Sequence, residues 1–193
     1  DFEDLHVEHF PADFSGVLQL LHSGESNVSV KDPESLKEYM KNPDFHPMEE
    51  VPNCPYSLFE LVCLYGTAAT IELLIKDPRT DINHVGVSQL NALMIVADHG
   101  NLEAIQLLLD DGRIDPNLVG ADRFEKDSCA IKKAAHSESG AEAVKLFLND
   151  PRIDLESKKM GKFFLDCCKY NLADVVKLLL DDSRIDLVSL VAG

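Results

Sequence analysis

Few residues of this 193-residue chain that can hold a metal, move a proton or attack a carbonyl stand at the spacing such work requires. His6-Val7-Glu8-His9 sets two imidazoles three residues apart, half of a zinc-binding arrangement. No second pair follows at finger-type spacing, so no metal site is expected. The five cysteines are an odd number. Cys63, Cys167 and Cys168 sit inside apolar helical runs and Cys129 at the start of one, where an unpaired cysteine usually serves as a small core residue. His99 and His136 fall in turns. The carboxylate pairs Asp110-Asp111 and Asp181-Asp182 lie at the ends of apolar runs, where a helix macrodipole disfavours negative charge. Arg113, Arg152 and Arg184 follow Asp111, Asp150 and Asp182 by two residues, and pairing within that unit or with the next is expected; an exposed pair contributes about 0 to 1 kcal/mol. No glycine-rich phosphate loop, G-x-S-x-G elbow or H-E-x-x-H occurs. These residues form no convergent acid, base and nucleophile set, so the expectation is a protein that is not an enzyme, with no cofactor and no small-molecule substrate.

The elements that carry these side chains are set by charge and periodicity. Lysine and arginine number 18 against 34 acids, a net charge of −16. A surface of that sign repels nucleic-acid phosphates and favours basic partners. Residues 1–50 hold twelve acids and three lysines, so −9 of the charge lies in the first quarter. No run approaches the ~18 consecutive apolar residues of a membrane span, and the N-terminus lacks a secretory pattern. An intracellular protein is expected.

Asn91–Asn117 is the stretch that repeats. Leu93, Ile95, Val96 and Ala97, then Leu102, Ile105, Leu108 and Leu109, recur at helical spacing on either side of Asp98-His99-Gly100-Asn101. A glycine free to take positive φ between two short amphipathic runs describes two antiparallel helices joined by a tight turn. Arg79, Arg113, Arg152 and Arg184 then mark four near-copies of one octet, KDPRTDIN, DDGRIDPN, NDPRIDLE and DDSRIDLV, at spacings of 34, 39 and 32 residues. Each octet follows an apolar helical run. Units of that length bury their apolar faces by stacking on their neighbours.

These residues resemble the ankyrin repeat. Asn91–Ala97 is similar to its first-helix opening at Leu93 and Ala97, Gly100-Asn101-Leu102-Glu103 to its inter-helix turn, and Leu107-Leu108-Leu109 to its second helix. The resemblance covers roughly residues 55–188. It implies an all-α ankyrin-like solenoid of stacked helix hairpins with β-turn or loop fingers, about five repeats in a single domain over 1–193. The family's T-P-L-H tetrapeptide never appears whole, which predicts weaker hydrogen bonding between neighbours and less regular stacking.

In chain order, residues 1–50 read as a divergent acidic N-terminal cap. Phe10, Phe14, Val17, Leu18 and Leu21 suggest one helical face, and Asp32-Pro33-Glu34 starts a second helix through Leu36, Tyr39 and Met40. Repeats follow at 51–84, 85–118, 119–157 and 158–193. The third of these carries four extra residues in its finger, Gly120–Asp127, with Phe124 between charges on a loop expected to be exposed. In the last, Phe164 aligns with Leu93, Cys167 and Cys168 with Val96 and Ala97, and Asn171 with Gly100, asparagine being the best substitute at positive φ. The end Val188–Gly193 is apolar, and the natural chain is expected to continue beyond it.

The resemblance implies a protein-interaction module whose fingers and first helices line one face. On that face Val85, Val87, Ser88, Leu90, Asp98 and His99, with Arg123, Phe124, Glu125 and Lys126 in the long finger, are the candidate partner-binding residues, and a basic or mixed basic and apolar protein is the expected partner. Two other roles stay open. The array is a non-catalytic targeting part of a longer enzyme or effector, or it is a substrate of an asparaginyl hydroxylase, a modification known in the family. Asn117, with Asp115 two residues and Leu109 eight residues before it, is the candidate for that modification.

Overall fold

A computed structural model describes residues 18–19, 27–48, 56–120, 128–154 and 158–186. The chain divides into two compact units, residues 1–81 and 82–193.

In the first unit, the short strands β1 (Leu18–Gln19) and β2 (Asn27–Val28) pair antiparallel, Leu18 opposite Val28. The helix expected through Leu18 is therefore replaced there by a strand, while Phe10, Phe14, Val17 and Leu21 lie outside the described residues. The sequence is ambiguous at this point: Leu18 and Leu20, like Val28 and Val30, alternate with polar residues, which is the period of a strand. Helix α1 (Pro33–Met40) begins as expected, with Asp32 accepting the amides of Glu34 and Ser35 and a proline in the first turn. It buries Leu36 completely. Helix α2 (Leu58–Tyr65) starts with a reciprocal box in which Ser57 Oγ accepts the Glu60 amide at 3.3 Å and Glu60 Oε2 accepts the Ser57 amide at 2.6 Å. That satisfies two otherwise orphaned donors at a buried helix end. Helix α3 (Ala68–Lys76) follows after Gly66 and packs against both α1 and α2. A Cβ at Gly66 would lie 2.4 Å from the Val62 carbonyl oxygen, so only glycine lets the turn close this tightly.

The second unit holds three hairpins, α4 (Ala92–Asp98) with α5 (Leu102–Asp110), α6 (Ala130–His136) with α7 (Gly140–Asn149), and α8 (Lys158–Lys169) with α9 (Ala173–Asp181). Asn91 caps α4 by accepting the Met94 amide at 2.9 Å, and Asn101 caps α5 by accepting that of Ala104 at 3.1 Å. The turn between them takes φ 64° at Gly100, and the equivalent turn of the last hairpin takes φ 56° at Asn171, as their alignment requires. First helix stacks on first helix, α4 on α6, while α5 packs on α7 and α7 on α9. Being flanked on several sides, α4 buries every residue from Ala92 to Ala97. Between α5 and α6 the chain makes a two-stranded finger, β3 (Val119–Gly120) paired with β4 (Ser128–Cys129). The mostly helical, repeated hairpin architecture is the all-α solenoid type the sequence implies.

The four octets fold as one turn. The amides of Thr80, Ile114, Ile153 and Ile185 return to the carbonyls of Asp77, Asp111, Asp150 and Asp182. In each, the aspartate carboxylate receives the backbone amide and Nε of the arginine two residues on through Oδ1, and Nη2 through Oδ2. Pairing within the octet is thus the rule. The aspartate side chains are only 6 to 17 % exposed, whereas the arginine side chains keep 33 to 49 % of their surface in solvent. Asp110 and Asp181, the other members of the two acidic pairs, are the exposed ones.

The remaining guanidinium hydrogens reach the preceding repeat. Arg79 Nη1 donates to the Phe45 carbonyl at 2.7 Å and stacks its cation over the Phe45 ring. Arg152 donates to the carbonyls of Ile114 at 3.1 Å and Leu109 at 2.5 Å, and Arg184 to that of Leu148 at 2.5 Å. Asparagines bind in the opposite direction. Asn83 Nδ2 donates to the Arg113 carbonyl while its Oδ1 accepts the Asp115 amide, both at 2.7 Å, and Asn117 does the same to Arg152 and Asp154 at 2.7 and 2.9 Å. Where the T-P-L-H opening is missing, ties between neighbours are made at the octets instead.

Candidate interaction surface

The finger of residues 85–90 is shaped by its own backbone. Gln89 takes φ 60°, unusual for a residue with a side chain, and its amide closes a turn onto the Gly86 carbonyl at 3.0 Å. Ser88 Oγ accepts the Leu90 amide at 3.3 Å. The neighbouring finger lies against it: a Cβ at Gly120 would fall 2.1 Å from the Gln89 carbonyl oxygen and 3.1 Å from Met94 Sδ. Gly120 is therefore the buried end of β3 and not part of an exposed loop. The consequence for the predicted residues is that Val85, Ser88 and Leu90 are half-buried, while Val87 at the tip is 62 % exposed. Arg123, Phe124, Glu125 and Lys126 lie outside the described residues.

The ends of the first helices carry the polar part of the surface. Asp98 is exposed and lies 3.5 Å from Lys133 on the next hairpin. His99 is exposed, with Nδ1 3.0 Å from the Ile95 carbonyl oxygen. One hairpin further on, His136 meets Tyr170 edge to face at 5.2 Å, and the Lys169 ammonium stands 5.0 Å from the Tyr170 ring. Lys133, His136 and Tyr170 were not among the candidates. Their common signal is position, since each lies near the C-terminal end of a first helix, like Asp98 and His99.

Beside the second finger is a cavity of about 60 Å³ lined by Pro116, Val119, Cys129, Ile131, Met160 and Phe163, with Asn117 and Asp154 also at its wall. Sequence reasoning did not find it, because its apolar residues come from a finger and two successive first helices and meet only once the hairpins stack.

The cysteines separate by position. Cys63 and Cys167 are buried, and burial raises both thiols, Cys167 to about 12 with smaller contributions from Cys168 and Asp166. Cys129 is half-buried at the start of α6. Cys168, expected in the core, is exposed. Its equivalents Ala97 and Ala135 are covered by the stack, whereas α8 belongs to the last hairpin. Among the described residues no His, Cys, Asp and Glu cluster suits a metal, and His6 and His9 lie outside them. No described helix is long and apolar enough to cross a membrane.

Asn117 is exposed, yet both ends of its amide are held by the following octet. A family model describing ankyrin repeats in three copies matches residues 58–159, more than half of the chain. Among curated proteins the chain finds no match.

Proposed function

Since this chain belongs to the ankyrin-repeat family, whose repeats are generally protein-interaction modules, we propose that its second unit grips a protein partner through the fingers and the ends of the first helices. The observation that carries this reading is Val87. A large apolar side chain stands 62 % exposed at the tip of a finger whose base is fixed by Gln89 and braced against Gly120. Apolar surface on a held scaffold loses little conformational entropy on binding. Asp98, His99, Lys133 and His136, toward the C-terminal ends of the first helices, supply the polar part of the proposed surface, and the net charge of −16 favours a partner with basic groups. An intracellular site of action accords with the free thiols.

The test is affinity capture with cross-linking mass spectrometry from the organism of origin, comparing the natural chain with a Val87→Ser, Phe124→Ser variant. Cross-links to residues 85–99 and loss of the captured partner in the variant support the assigned face. Equal capture by both chains would show that the face is wrong. For Asn117 as a hydroxylation site, the exposed position supports the reading, and addition of one oxygen in intact-mass analysis after treatment with a hydroxylase is the corresponding readout.

A further inference from the structure

Between the C-terminal ends of α5 and α7 runs a groove of about 410 Å³, within the size range of small-ligand sites. Leu109, Leu146 and Pro151 form its apolar wall, and Gln106, Asp110 and Asn149 its polar one. Arg152 lines it too, but its charge is already met: Nε and Nη2 donate to Asp150, and Nη1 and Nη2 to the carbonyls of Ile114 and Leu109. Asp110 has no such counter-charge. It is exposed, accepts a hydrogen bond from Gln106 Nε2 at 2.7 Å and pairs with no cation among the described residues. Glu34, Glu38 and Glu72, exposed acids of the first unit, each meet a lysine three or four residues on. Asp110 also stands where an anion is least favoured. As the last residue of α5 it adds its charge to the negative end of the helix dipole, where the first octet carries Lys76 and the third Asn149. Gly112 keeps one edge of the groove clear. Its equivalents in the other octets are Pro78, Pro151 and Ser183, and a Cβ at Gly112 would meet nothing within 4 Å. Neither crowding nor a left-handed φ requires glycine there.

We infer that this groove receives an arginine side chain from a basic segment of a partner protein. It is a second contact, made by the second helices and apart from the fingers and first-helix ends. The guanidinium meets the Asp110 carboxylate, and Asn149 Oδ1 offers a further acceptor on the same wall. A planar fork of five donors serves a carboxylate and an amide oxygen together, which a lysine ammonium does less well. The aliphatic stem lies along Leu109, Leu146 and Pro151, so the apolar wall is used as well as the charge. A cation at Asp110 also offsets the repulsion between that carboxylate and the end of α5. The net charge of −16 draws basic segments toward the chain, and the groove supplies a place where one of their side chains fits.

Fluorescence anisotropy tests this with a labelled peptide of alternating arginine and serine, titrated with the full chain at about 0.05 M salt, where screening is weak. The natural chain is expected to bind it about tenfold more tightly than the same peptide with citrulline, a neutral isostere, in place of arginine. Asp110→Asn and, separately, Gly112→Leu are expected to weaken binding by about five- to tenfold, the first by removing the charge and the second by filling the groove. Both positions are exposed, so the circular dichroism of each variant should match the natural chain's. Glu103→Gln removes an equal charge from the other end of α5 and is expected to change binding by less than about twofold. Amide shifts of residues 106–112 and 146–152 should move on titration. Equal losses from Glu103→Gln and Asp110→Asn would reduce the effect to overall charge and overturn the inference, as would no binding or equal binding of the citrulline peptide. Shifts confined to residues 85–99 overturn it and leave the finger surface standing. Shifts in the groove, with partner capture that ignores Val87→Ser, sustain it and refute the finger surface.

Discussion

The Arg152 guanidinium donates to the Leu109 carbonyl at 2.5 Å, across 43 residues of sequence, while both oxygens of the Asp150 carboxylate hold the same side chain in place. Asp150 fixes the rotamer, and Arg152 makes the tie. Removing Arg152 leaves a carboxylate only 7 % exposed without its counter-charge, and removing Asp150 leaves the arginine free to rotate into water. Each of Arg152→Met and Asp150→Ala is expected to lower stability by about 1 to 3 kcal/mol in urea unfolding. The double variant is expected to lose less than the sum. Full additivity of the two losses would mean that the pair does not act as a unit.

Acid should weaken the protein through the same four turns. Asp77, Asp111, Asp150 and Asp182 are held below their usual value of 3.8, chiefly by hydrogen bonds from Arg79, Arg113, Arg152 and Arg184. A carboxylate whose pKa is lower folded than unfolded contributes stability that is fully present above the unfolded value and is lost as pH falls through the folded one. Stability is therefore expected to be insensitive to these groups near neutral pH and to fall below about pH 4. Urea midpoints at pH 7 and pH 3 measure this, and Asp150→Asn should shrink the difference between them. The arginines, raised chiefly by the same hydrogen bonds to these aspartates, act in the opposite direction only in strong alkali.

Gly120 is the position where a single added carbon should distort the finger. Gly120→Ala would place Cβ 2.1 Å from a main-chain oxygen, that of Gln89, which cannot swing aside as a flexible side chain would. A loss of about 1 to 3 kcal/mol is expected, the usual consequence of overpacking. Val87→Ser at the exposed tip should leave the melting temperature within a degree or so of the natural chain's while weakening partner capture, since surface changes rarely exceed about 0.5 kcal/mol. Equal damage to stability by both substitutions would contradict the described finger.

Alkylation rates separate the cysteines. Cys168 is expected to react in the native state, whereas Cys63 and Cys167, buried and with thiols raised by burial, should react only when the chain opens. Iodoacetamide labelling read by peptide mass spectrometry checks the order. Native labelling of Cys167 at the rate of Cys168 would place α8 in another rotation.

The parts of this fold that were legible in sequence are those set within one unit. The helix hairpin, the positive-φ turn at Gly100 and Asn171, the helix start at Asp32 and the recurring octet all follow from local periodicity and local backbone chemistry. Pairing of Arg152 with Asp150 is local too, and it was visible as one of two options. Its bond to Leu109 was not, because a carbonyl acceptor has no sequence signature. Cys168 was misplaced for a related reason: alignment with Ala97 says which way a side chain points but not whether another hairpin lies there. Leu18 went astray on period, where a short apolar run fits a helix or a strand. For the candidate surface, sequence located the finger but not how far Val85 and Leu90 sink into it, which depends on the next finger at Gly120.

Arg152 and Asn117 bind main-chain atoms of their neighbours, and Arg184 does the same toward Leu148. Every residue type except proline offers the same amide and carbonyl, so these couplings do not care which side chains the adjoining unit carries. A lineage could duplicate, delete or exchange such units by recombination and keep them mechanically joined, with the octet acting as a universal connector. Variation at the finger tips is then free to follow whatever partner selection favours, without a matching change in the neighbouring unit.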